Sequence, residues 1–128
     1  MEKRMFRDSE GSGHISLVGN SFAYGFDLCP NEECKRNIVK LIDKHGMDSL
    51  SFFCTFPILM RFAKDGESHR MKAALSNDGA WLRMLKEDET TTFEGWGKDT
   101  KWNTSLFHLT MSYAAVFLAD VDLKQLFE

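Results

Sequence analysis

The stretch HISLVGNSFAYGFDL, residues 14–28, decides which class of fold the chain is expected to adopt. Within it Phe22, Tyr24, Phe26 and Leu28 alternate with Ala23, Gly25 and Asp27, the period of a strand with one buried face. Gly19-Asn20 suits a tight hairpin turn. A turn there sets Val18 opposite Ser21, Leu17 opposite Phe22 and Ile15 opposite Tyr24, so that the large apolar side chains of both strands share one face. Turn chemistry and hydrophobic pattern agree on a single register, and together they predict an N-terminal β-hairpin.

Downstream, DLCPNEECKRNIVKLIDKHG (27–46) predicts a helix from about residue 30 to residue 45. Pro30 suits a first helical position, Glu32 and Glu33 complement the positive end of the helix dipole, and Gly46 suits a left-handed cap. Cys34, Ile38, Leu41 and Ile42 follow the spacing of one buried stripe. The cysteines raise a chemical question, because Cys29, Cys34, His45 and Cys54 are of the residue types that bind zinc. Cys34 and His45 would stand about 16 Å apart at ~1.5 Å rise per residue and could not share one ion while the helix is intact. No metal and no cofactor is therefore expected, and Cys34 reads as a small packing residue. Cys29, near the helix start, is a candidate for a dipole-stabilised thiolate, set against an inert capping position.

The next segment, DSLSFFCTFPILM (48–60), carries no charge after Asp48 and alternates Leu50, Phe52, Cys54 and Phe56 with Ser51, Phe53 and Thr55. It predicts a central strand that ends at Pro57 with Cys54 facing the core. Residues 58–87 support two readings. Asp65-Gly66 is a hairpin signal that pairs Phe62 with His69 and Met60 with Met71, although it sets Arg61 opposite Arg70. The alternative is a short helix over 67–76 built on Met71, Ala74 and Leu75; the hairpin is slightly favoured.

Residues 87–103, EDETTTFEGWGKDTKWN, read as a loop. Acidic residues beside glycine-flanked aromatics resemble a contact surface, since Trp is enriched among binding hot spots. The candidate binding residues are Trp96, Trp102, Phe93, Glu87, Asp88, Glu89 and Glu94. The competing reading folds the three aromatics back over the core. From Asn103 or Thr104 onward, SLFHLTMSYAAVFLA predicts a helix apolar on more than one side, either central to the domain or one half of a dimer seam. Asp120 is expected to cap a last turn, VDLKQLFE, that packs on the body.

The chain has 128 residues, enough for one core. Residues 1–13 read as a flexible arm and 14–128 as a single domain. The formal charge is −3, with eleven acidic against seven basic side chains in residues 65–128, which disfavours a general nucleic-acid surface. Three cysteines with no signal-like start predict reduced thiols and a cytoplasmic protein, and no run is long and apolar enough for a membrane span. The assembled expectation is an α+β domain, an antiparallel sheet covered by helices that include a buried C-terminal one. Phosphate-cradling, nucleophile-elbow and metalloprotease motifs are absent. The leading function class is a small soluble acidic protein of the inhibitor, immunity or accessory type, which binds a partner protein through a basic surface on that partner. The alternatives are a small-molecule site or enzyme with an aromatic pocket, using Tyr24, Asp27 or His108, and a structural homodimer formed through the C-terminal helix.

Overall fold

The computed structural model describes residues 4–87 and 91–119, with only the backbone of Leu118. Among these residues there is no strand; every regular element is helical, which overturns the expected α+β fold and its antiparallel sheet. The elements are α1 (Leu17–Gly25), α2 (Glu32–His45), α3 (Phe52–Lys64), α4 (Ser68–Leu75), α5 (Trp81–Lys86) and α6 (Ala114–Leu118). Short 3-10 turns occupy Met47–Ser49 and Leu109–Tyr113. The chain divides into two compact units, Met1–Arg61 and Phe62–Glu128.

In the first unit, α1 stands where the hairpin was expected. Ser16 caps it, its Oγ accepting the Gly19 N–H at 3.2 Å, the role for which Ser is favoured. Asn20, read as a turn residue, lies inside α1 and is buried. Its side chain accepts the Phe6 N–H at 3.0 Å and donates to the carbonyls of Phe6 and Ser16 at 2.9 and 2.8 Å. Asp8 adds to this: one carboxylate oxygen meets His14 Nδ1 at 2.6 Å and the other accepts the Ser16 N–H at 3.1 Å. The hydrogen bond from His14 is the main reason the Asp8 carboxyl sits below its ordinary range. The period-two alternation fails because α1 buries Asn20, Ser21, Ala23 and Tyr24, a face on which half the residues are polar and leave no hydrophobic trace. Phe22 and Phe26, one turn apart, instead stack on each other at 5.9 Å. The helix ends in a paired cap, Asp27 N–H to Tyr24 O at 3.2 Å and Leu28 N–H to Ala23 O at 2.8 Å, with Asp27 at φ 60° where glycine is usual.

Helix α2 matches its expected span. Asn31 rather than Pro30 starts it, the Asn31 Oδ1 accepting the Cys34 N–H at 2.9 Å, and Cys34, Ile38 and Ile42 are its buried stripe. Gly46 closes it at φ 82° and ψ 162°, a positive-φ conformation but an extended one. Helix α1 packs on α2.

Helix α3 replaces the central strand. Cys54, Thr55, Ile58, Leu59 and Phe62 are buried, a stripe of period 3.6 that becomes visible only when the pattern is followed through Pro57. Pro57 lies inside the helix and has no N–H for the carbonyl of Phe53, one turn earlier. Phe53 is 68% exposed, on the solvent side of the helix. Gly25 of α1 lies against Pro57, so close that a Cβ there would come within 2.6 Å of the proline ring. Arg61 reaches Asp27 at 2.7 Å.

In the second unit, Asp65-Gly66 is not a hairpin turn but the end of α3. Gly66 at φ 72° lets its N–H reach Ala63 O at 3.2 Å and the Glu67 N–H reach Phe62 O at 2.8 Å. Left-handed Gly serves both a hairpin turn and this helix cap, so the dipeptide alone does not distinguish them. The alternative helix, expected over 67–76, is α4. The helix expected from residue 104 begins only at Leu109, and it is buried along Met111, Ala114 and Phe117 while Leu109 and Val116 are exposed. It is therefore one-sided. Helix α4 packs on α6. The expected last turn, VDLKQLFE, lies outside the described residues.

Candidate functional site

The polar framework of the 87–105 region starts on α5, where Trp81 and Met84 point inward and Arg83 does not. Arg83 Nε donates to Glu87 Oε1 at 2.8 Å, one turn on, and Nη2 pairs with Asp99. Glu87 Oε2 accepts the Lys98 N–H at 2.8 Å. That backbone hydrogen bond, then Arg83, holds the Glu87 carboxyl below its ordinary value, while Glu87 and Asp99 raise the Arg83 guanidinium above its own. A Cβ at Gly97 would meet the Arg83 guanidinium, so a larger residue there requires that side chain to shift.

The second half of the loop is held in the same way. Lys101 Nζ donates to Glu94 Oε1 at 2.6 Å, Glu94 Oε2 accepts the Ser105 N–H at 3.2 Å, and the Glu94 N–H donates to Ser105 O at 2.9 Å. Lys101 is the larger cause of the lowered Glu94 carboxyl, followed by Ser105. The hydroxyls of Thr100 and Thr104 close the two turns: Thr100 Oγ1 accepts the Gly97 N–H at 3.1 Å and Thr104 Oγ1 the Lys101 N–H at 3.0 Å.

On this framework the three candidate aromatics part company. Phe93 is completely buried and Trp96 is 9% exposed, whereas Trp102 is 96% exposed. Trp96 meets Trp81 edge-on at 4.8 Å, and Trp81 meets Tyr113 the same way at 5.7 Å. The Trp81 indole N–H donates to Met111 O at 2.9 Å. Trp96 thus belongs to an aromatic cluster in the core, and Trp102 stands out from the loop. Phe107, also exposed, follows it, along with Leu106 and Leu109. Glu87 and Glu94 are engaged within the loop, and Asp88 and Glu89 lie outside the described residues. Arg83 and Lys101, on which the framework turns, were missed by sequence reasoning; the four-residue spacing of Arg83 and Glu87 was the signal available.

The alternative pocket residues fall in two different units. Tyr24 is buried in the first unit, Asp27 is tied to Arg61 there, and His108 belongs to the second, its N–H donating to Thr92 O at 2.7 Å. The second unit has a cavity of ≈ 380 Å³ elsewhere, lined by Leu75, Trp81, Met84, Leu85, Met111, Ala114 and Ala115 with Thr91, Thr92 and Ser112.

Cys29 lies two residues ahead of the α2 cap, and burial, followed by the neighbouring Cys34, pushes its thiol up to about 11. That direction is opposite to the one a dipole-stabilised thiolate requires. Among the described residues no three His, Cys, Asp or Glu side chains are grouped so as to hold a metal ion. Nor, among them, is any helix long and apolar enough to cross a membrane. Comparison with protein-family models, characterised proteins and solved structures finds no match to this chain.

Proposed function

We propose that the protein binds a partner protein, with Trp102 as the anchor that enters an apolar pocket on that partner. The observation that carries this reading is the 96% exposure of Trp102 on a loop that ion pairs and turn hydroxyls hold in one conformation. Because the backbone on either side of Trp102 is tied by these bonds, binding has mainly the two torsions of the indole side chain left to order, and Trp is enriched among hot spots. Glu87 and Glu94 support the loop from within, so the partner's charge matters less than the basic surface first expected. Association should accordingly depend weakly on salt.

The test compares three variants for affinity towards the partner isolated with the native protein. Trp102→Ala should leave the melting temperature nearly unchanged and weaken binding by ~2 kcal/mol or more, roughly thirtyfold. Lys101→Met should weaken binding less, by loosening the loop. Trp96→Ala, a core truncation, should cost ~3–5 kcal/mol of stability instead. Retention of full affinity by Trp102→Ala would sink the proposal.

A further inference from the structure

The ≈ 380 Å³ cavity of the second unit is walled by residues from α4, α5, the Leu109–Tyr113 turn and α6. Its volume lies in the range of small-molecule sites. At ~30 Å³ per water it has room for about a dozen waters, which is the scale of a bicyclic organic molecule. Three features of the walls define the chemistry it would accept.

Among the described residues no ionisable side chain lines it, so a charged ligand would lose its hydration with no counter-ion from these walls to replace it. The apolar walls include the Trp81 ring and the thioethers of Met84 and Met111, surfaces that suit an aromatic body. Two of its three hydroxyls have their hydrogens committed: Thr92 Oγ1 donates to His108 O and Ser112 Oγ to Leu109 O, both at 2.6 Å. The Trp81 N–H is likewise engaged with Met111 O. Thr92 and Ser112 therefore have lone pairs to offer and no proton, which favours a ligand that carries a donor.

We propose that this cavity binds a small uncharged molecule with an aromatic or otherwise apolar body and one O–H or N–H donor, of the class of phenols and indoles. The site is independent of Trp102 and does not rest on the partner-binding reading.

The experiment titrates the full chain of 128 residues with three probes of one shape, 2-naphthol, 2-methoxynaphthalene and 2-naphthoate, by calorimetry and thermal shift. Using the full chain means that any other part of it that fills the cavity appears as absence of binding. We expect 2-naphthol to bind one to one and raise the melting temperature. The methoxy compound, which lacks the donor, should bind about three- to tenfold more weakly, and the naphthoate anion more weakly still. Ala115→Phe, at an exposed position on the cavity wall, should abolish binding; Ser112→Val should erase the preference for naphthol over its methyl ether; Trp102→Ala should change neither. No saturable binding, equal affinity for all three probes, or binding that survives both cavity substitutions in full would overturn the proposal.

Discussion

Gly19 and Gly25 lie in the same helix and meet opposite surroundings. A Cβ at Gly19 would come no closer than 3.8 Å to Ser16, so Gly19→Ala removes backbone entropy from the unfolded chain at no steric cost and should stabilise by ~0.5–1 kcal/mol. A Cβ at Gly25 would stand 2.6 Å from the Pro57 ring and 2.9 Å from its carbonyl carbon. Neither is the end of a flexible side chain, so α1 and α3 must separate, and Gly25→Ala should destabilise by ~1–3 kcal/mol. Thermal melts of the two variants check this; shifts of the same sign would mean that the helices do not approach here as described. The same scale explains what was legible at the site. Composition marks the loop around residues 87–103 as aromatic and leaves open whether its aromatics face outward or fold back over the core; it does not say which tryptophan does which. The glycines beside Trp96 suggested display, whereas Gly97 serves the close approach of Arg83. Trp102, without glycine neighbours, is the exposed one.

At the scale of elements, α2 was legible because dipole charges, apolar stripe and a terminal glycine all fall in one segment and agree on its span, although its cap is Asn31 and Gly46 is extended rather than left-handed. Helices α1 and α3 were not, for separate reasons. The buried face of α1 includes Asn20 and Ser21, and α3 continues through a proline that the sequence pattern treats as a terminus. The two descriptions of α3 differ at Phe53 and Thr55. A strand puts both on one face; the helix leaves Phe53 exposed and buries Thr55 completely, its hydroxyl donating to Phe52 O at 2.8 Å. Phe53→Glu should therefore stay within ~0.5 kcal/mol of the parent, whereas Thr55→Glu places an unpaired carboxylate in the core and should cost several kcal/mol, on the order of 3 or more. Chemical denaturation of both variants decides the matter. Equal tolerance of the two charges would restore the strand.

At the scale of the whole molecule, the division between Met1–Arg61 and Phe62–Glu128 falls inside α3 rather than in a linker. Domain boundaries ordinarily lie in exposed connecting segments, so this one couples the two units through the backbone. If the first unit unfolds, α3 loses all but its last three residues, too few to persist as a helix. Phe62, buried in the intact protein, then loses the helix that holds it. Unfolding should consequently be a single transition. The sequence provides a selective probe, because Trp81, Trp96 and Trp102, its three tryptophans, are all in the second unit. Ile58, in contrast, is a completely buried residue of the first. Ile58→Ala should cost ~2–5 kcal/mol as a core truncation. With the units coupled, the loss should appear equally in tryptophan fluorescence and in the far-ultraviolet circular dichroism of all the helices, with coincident midpoints. An unmoved fluorescence transition beside a lowered dichroism midpoint would show that the second unit stands without the first, and that the continuity of α3 does not bind their stabilities together.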